Sequence, residues 1–173
     1  MVTTTREEQR DRLWKAAAAV TDPELPMLTL ADLGILRRVE IGDEGTARVW
    51  ITPTYSGCPA LAEMRADVHR AVRAAGFDQV QVHTELSPPW STDWITDEGR
   101  RKLLENGISP PGAAPRRASG SVPLTLLPTR TVPHCPQCGS ERTEELSRFG
   151  ATSCKSLHRC QSCLEPFEHV KEI

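Results

Sequence analysis

Ala47-Arg48-Val49-Trp50-Ile51-Thr52-Pro53-Thr54-Tyr55-Ser56-Gly57-Cys58-Pro59 joins a β-type run to a helical one, and the order of the surrounding elements follows from it. Residues 47–52 alternate polar and apolar side chains and are rich in β-branched and aromatic types, the pattern of a half-buried strand. After Pro59, the residues Leu61, Met64, Val68 and Val72 recur on one face of a helix, with Glu63, Arg65, Asp67, Arg70 and Arg73 mostly directed elsewhere. Gly57 supplies backbone freedom, and Pro59 suits a first helical position, where its missing N–H is not needed. Cys58 is therefore expected at the helix N-terminus. There, unpaired N–H groups and the positive end of the helix dipole favour an anion, so a thiol ionises more readily and can act as nucleophile or metal ligand. The plainer role is a small side chain packed under the turn; the strand, Gly-Cys-Pro, helix context favours the functional one.

Working outward, residues 5–20 read as an amphipathic helix with Leu13, Trp14, Ala17 and Val20 inward, stopped by Asp22-Pro23. Asp22-Pro23-Glu24-Leu25-Pro26 is a fixed non-helical turn. A strand follows at 35–41, a hairpin turn at Gly42-Asp43-Glu44-Gly45, and the strand at 46–52. The helix at 59–75 is closed by Gly76, and residues 79–86 give a third strand. The order α-β-β-α-β predicts a small α+β domain with helices packed on one sheet. His83 alternates with valines and reads as a surface residue rather than a ligand.

Ser87-Pro88-Pro89-Trp90-Ser91-Thr92-Asp93-Trp94-Ile95 is a stiff extended stretch whose tryptophans serve either as core plugs or as partner anchors, with packing favoured. A short helix runs from Thr96 to Gly107. From Ile108 to Pro133 the chain carries six of its fourteen prolines and little apolar periodicity, as a linker does. Three segments result: a domain with a Trp-rich extension at 1–107, a Pro-rich linker at 108–133 and a C-terminal module at 134–173.

That module holds the strongest local signal. Cys135-Pro136-Gln137-Cys138 and Cys160-Gln161-Ser162-Cys163 are two C-x-x-C knuckles 21 residues apart, the spacing of a zinc ribbon. Each knuckle sets two sulfurs on one tight turn, and together they form the closed tetrahedral four-cysteine set of a structural Zn²⁺ site, with mononuclear iron the minority occupant. Residues 143–149, 153–159 and 165–170 are expected as a three-stranded ribbon with Phe149, Leu157 and Phe167 as its core. Cys154 is left over, with a buried strand position, a spare thiol and a second functional cysteine all open.

A net charge of −2 with pI about 6.2 gives no basic field for nucleic acid or anionic lipid. The acids Glu141, Glu144, Glu145, Glu165, Glu168 and Glu172 weaken the case for a nucleic-acid-binding ribbon further. No apolar run approaches membrane-spanning length, and one cysteine at 58 with five between 135 and 163 argues for a metal site in a reducing compartment. A cytoplasmic protein is expected. The chain has no Glu-x-x-His pairs for a di-iron site and no nucleotide or flavin glycine motif. A Cys–His thiol enzyme is disfavoured, because His69 lies about three helical turns, roughly 16 Å, beyond Cys58.

Asp22-Pro23-Glu24-Leu25-Pro26, Asp32-Leu33-Gly34 and Thr52-Pro53-Thr54 with Gly57-Cys58-Pro59 resemble the iron–sulfur assembly family that includes SufT and the eukaryotic cytosolic iron–sulfur targeting factors. With the stretch 87–95 and the two-knuckle ribbon, nearly the whole chain resembles the PaaD (PaaJ) family of the bacterial phenylacetyl-CoA epoxidase system. The resemblance implies an accessory, non-catalytic role beside a multicomponent di-iron oxygenase in aerobic phenylacetate catabolism. It implies delivery or insertion of an iron–sulfur cluster into the reductase component, with Cys58 as transient ligand or transfer thiol. Asp22, Glu24 and Asp32 would shape its pocket, and Thr52 and Thr54 would line it, their hydroxyls able to donate to the thiolate. Turn formation and capping are the competing roles for the three acids. The implied partners are the oxygenase and the iron–sulfur reductase; one thiol per chain also permits a homodimer with a cluster bridging two copies of Cys58. The competing reading is a non-catalytic structural subunit that clamps the oxygenase through Trp90, Trp94 and the ribbon.

Overall fold

The computed structural model describes residues 5–55, 57–114 and 132–173. The chain divides into two compact units, Met1–Trp90 with Trp94–Gly99, and Ser91–Asp93 with Arg100–Ile173.

In the first unit, α1 (Arg6–Ala18) is opened by a capping box in which Thr5 and Glu8 satisfy each other's backbone N–H groups. Its inner stripe is Leu13 and Ala17, with Val20 beyond the cap; Trp14, expected inward, is 40% exposed. Strands β1 (Leu36–Ile41) and β2 (Ala47–Ile51) pair antiparallel through the turn at Gly45, whose φ is +76°. After α2 (Leu61–Ala74), β3 (Val80–Thr84) returns parallel to β2, so the sheet order is β1-β2-β3. Parallel strands need a crossover, and α2 supplies it with Met64, Val68 and Val72 buried. Val49 and Ile51 are also fully buried. On alternate positions Arg38, Trp50 and His83 pair across all three strands. The Trp50 and His83 rings stack at 5.0 Å and the Arg38 guanidinium lies 3.7 Å from the indole, so His83 is half-buried rather than a surface residue.

Trp90 is a core residue, as packing requires, and its Nε1–H donates to the Leu33 carbonyl at 2.8 Å. Trp94 lies against Gly34, which has φ +67°; a Cβ there would meet the Trp94 Cβ at 2.6 Å and its carbonyl oxygen at 2.7 Å. Only glycine satisfies both the conformation and the approach.

The second unit is a four-stranded sheet in the order β4-β7-β6-β5, formed by β4 (Ile108–Ser109), β5 (Thr143–Ser147), β6 (Lys155–Cys160) and β7 (Pro166–Val170). It exceeds the expected three-stranded ribbon because Ile108–Ser109, the first residues of the proposed linker, pair parallel with Glu168 and His169. Most of the linker, 115–131, lies outside the described residues. Residues of α3 (Asp97–Glu105) from Arg100 onward belong to this unit, which buries Leu103 completely. Phe167 is buried as expected, but Phe149 is 66% exposed under the Lys171 ammonium and Leu157 is half-buried. The inward positions of β6 and β7 are taken by Ser156, His158 and His169 instead.

Candidate functional site: the Cys58 loop and the four-cysteine centre

The loop 52–60 leaves the C-terminal end of β2, beside the parallel end of β3, where open α/β sheets place ligand sites. Helix α2 begins at Leu61 with Ala60 as N-cap, so Cys58 stands two residues ahead of the cap rather than at the first turn. The difference comes from Pro59 and Ala60, which form a turn closed by the Leu61 N–H donating to the Cys58 carbonyl at 3.3 Å. The Cys58 N–H donates to the Tyr55 carbonyl at 3.1 Å, and Cys58 is half-buried.

Thr52 is 1% exposed, and its hydroxyl donates to the Glu85 carbonyl at 2.8 Å. Its single proton is thereby directed to β3, so the hydroxyl fastens the start of the loop to the sheet. The Thr52 N–H donates to the Ile35 carbonyl at 2.9 Å, which brings Asp32-Leu33-Gly34 alongside. Thr54 is half-buried in the loop. Asp22 Oδ1 accepts the N–H groups of Glu24 (2.9 Å) and Leu25 (2.8 Å), the pattern of an Asx turn. Asp32 Oδ2 accepts from the Thr29 N–H while the Thr29 hydroxyl accepts from the Asp32 N–H, a reciprocal cap. The buried acids Asp22 and Asp32 thus each close a turn, and Glu24 is half-buried.

In the second unit, Cys135, Cys138, Cys160 and Cys163 have all four Sγ atoms within 4.8 Å of one another. The Cys135–Cys163 and Cys138–Cys160 sulfurs are each 3.6 Å apart. A tetrahedral ion with metal–sulfur bonds of about 2.3 Å sets sulfurs about 3.8 Å apart, so the donor set fits such an ion. The knuckles repeat one another: Gly139 and Leu164 donate N–H groups to the Cys135 and Cys160 carbonyls. Both adopt positive φ, +72° and +66°. The N–H groups of Cys163 and Ser162 donate to Cys160 Sγ and hold its thiol down to about 6. The Glu165 N–H acts to lower Cys163, but burial and the three neighbouring sulfurs outweigh it and push that thiol up to about 12. Four thiolates cannot crowd together without a cation, and one divalent ion removes the conflict.

Sequence reasoning missed the left-handed Leu164, because its composition gives no glycine or asparagine signal. It also missed the ion pair of buried Lys155 with half-buried Glu168 at 2.7 Å.

Comparison with known proteins matches the two ends of the chain to different families. The iron-sulfur cluster assembly protein family model matches residues 10–84, and the PaaD zinc beta ribbon domain model matches residues 119–171. A protein of Escherichia coli K12, provisionally named as a subunit of 1,2-phenylacetyl-CoA epoxidase, is 42% identical over 165 residues, covering 95% of this chain and 94% of its own. The chain belongs to the PaaD family of phenylacetyl-CoA epoxidase subunits. The N-terminal half of this PaaD family member is also 31% identical to the Fe-S protein maturation auxiliary factor SufT of Staphylococcus aureus, over 44% of this chain and 88% of the relative. A crystal structure of a domain of unknown function, DUF59, from Bacillus anthracis superposes with TM-score 0.52 at 25% identity, covering 57% of this chain and 93% of that one. The PaaD family therefore joins an iron–sulfur assembly domain to a metal-binding four-cysteine ribbon, and the α+β reading holds.

Proposed function

We propose that the chain is an accessory factor of a phenylacetyl-CoA epoxidase system that assists iron–sulfur cluster loading of the reductase component, with Cys58 as the transient ligand. The observation that carries this is the placement of the assembly domain's single cysteine in the loop after β2, within the span matching iron–sulfur assembly proteins. The cluster is cargo, received and passed on by thiolate exchange. Thr52 fastens the start of the loop to the sheet through its bond to the Glu85 carbonyl, Asp22 and Asp32 brace their own turns, and Thr54 lies within the loop. Relatives matching the N-terminal half are named as Fe-S protein maturation auxiliary factors and an iron-sulfur cluster carrier protein, which supports a non-catalytic role. The ribbon holds zinc as a structural ion, and the setting is cytoplasmic; no helix among the described residues is long and apolar enough to cross a membrane. Partners are the oxygenase and reductase components, without nucleic acid, and a homodimer can bridge one cluster between two Cys58 thiolates.

The test is the iron and acid-labile sulfide content of the reductase made with the wild-type chain, with Cys58→Ala, or with neither. Loss of the cluster in the last two cases is expected. A second reading, a structural subunit of the oxygenase, is favoured by the name of the Escherichia coli relative, which makes that protein a subunit of the epoxidase; a fully loaded reductase in all three cases selects it.

A further inference from the structure

Among the described residues β3 is an edge strand of the first sheet, and a groove of about 640 Å³ runs between it and α2. At the two ends of the β2–β3 ladder, the Ala47 N–H donates to the Gln79 carbonyl and the Glu85 N–H donates to the Ile51 carbonyl. Odd-numbered residues of β3 therefore bond inward. Alternate residues of a strand bond on opposite sides, so Val80, Val82 and Thr84 turn their N–H and C=O groups to the open edge. The Arg65 guanidinium confirms the direction by donating to the Val82 carbonyl at 3.1 Å.

The wall of this groove is one-sided in charge. Arg65 and His69 stand one turn apart on α2, Ala62 and Ala66 leave space between helix and strand, and among the described residues no carboxylate lines it. We propose that this edge takes an extended, acidic segment of a partner polypeptide as a fourth strand. Its backbone pairs with Val80, the Val82 N–H and Thr84, and its alternate carboxylates meet His69 and Arg65, whose guanidinium also holds the Val82 carbonyl. A second copy of the chain is the poorer occupant: two-fold pairing about Val82 sets Arg65 near its own symmetry mate, like charge against like. Ala62 lies four residues beyond Cys58, so the Thr84 end of the groove is the end at which the thiol loop leaves the sheet. A docked segment there is directed toward Cys58. That last link rests on the function proposed above; the binding itself does not.

The probe is a fluorescein-labelled, end-capped seven-residue peptide of alternating valine and glutamate, titrated with the full chain and read by fluorescence anisotropy. Amide hydrogen exchange at Val82 and Thr84 is followed in parallel. The glutamate peptide is expected to bind and to slow exchange at both amides, and Arg65→Glu is expected to weaken it at least tenfold at an unchanged urea midpoint. A valine–lysine peptide is expected not to bind. No binding of the glutamate peptide, equal binding of the lysine peptide, or indifference to Arg65→Glu overturns the proposal. So does concentration-dependent protection of the two amides in the chain alone, which assigns the edge to a second copy. Should the peptide bind as described while the reductase is fully loaded with Cys58→Ala, the docking edge stands and the transfer reading falls.

Discussion

Gly34→Ala probes the contact that holds Trp94 against Gly34. Two costs add at this position. A non-glycine residue at φ +67° costs roughly 1 kcal/mol. The new Cβ also collides with the Trp94 Cβ at 2.6 Å and carbonyl oxygen at 2.7 Å; neither atom is the far end of a flexible chain, and forced shifts of this kind cost about 1–3 kcal/mol. Gly45→Ala is the control, because its φ is +76° but nothing lies within 4 Å of its Cβ. The expected losses are about 2–4 kcal/mol for Gly34→Ala and about 1 kcal/mol for Gly45→Ala. Urea unfolding followed by tryptophan fluorescence isolates the relevant unit, since all four tryptophans (Trp14, Trp50, Trp90 and Trp94) belong to the first one. Losses equal to within about 0.5 kcal/mol would refute the close approach of Trp94 to Gly34.

Treatment with a chelator, or Cys138→Ser, is expected to melt the ribbon by circular dichroism while the tryptophan signal of the first unit persists, and the metal content measured by atomic absorption is expected to fall with it. Leu164→Gly relieves a positive φ in an exposed knuckle and is expected to stabilise the ribbon by about 1 kcal/mol, read as slower metal transfer to a competing chelator. Burial acts to raise the Glu172 carboxyl, but the His169 ring and the Gly112 N–H outweigh it and hold it at about 2, against 4.5 ordinarily. A depressed carboxylate stabilises the fold above pH 4.5 and loses that contribution as pH falls toward about 2, here up to about 3 kcal/mol. The stability difference between wild type and Glu172→Gln is therefore expected to shrink over that window, and a difference constant with pH would contradict the assignment.

Much of the candidate site was legible because its signals are short-range. The two knuckles declare themselves by spacing, since each places its sulfurs through a turn of four residues. The order of helices and strands in the first unit follows from local periodicity at 47–52 and 61–72. The orientation of Thr52 was not legible: which acceptor its hydroxyl meets depends on Glu85, 33 residues away, reached only when β3 lies parallel to β2. The acids Asp22 and Asp32 carried a turn reading and a pocket reading together, and both make turn bonds.

Sequence by itself marked the clustering of the four knuckle cysteines and the position of Cys58 between strand and helix, because both depend on neighbours within one turn or one strand. Tertiary structure decided what lies far apart in sequence. It added Ile108–Ser109 to the ribbon, turned Phe149 outward while burying His158 and His169, and left β3 as an open edge beside Arg65. Strand partners and sheet edges are settled by which segments exclude water from one another, and that depends on the whole chain folding at once.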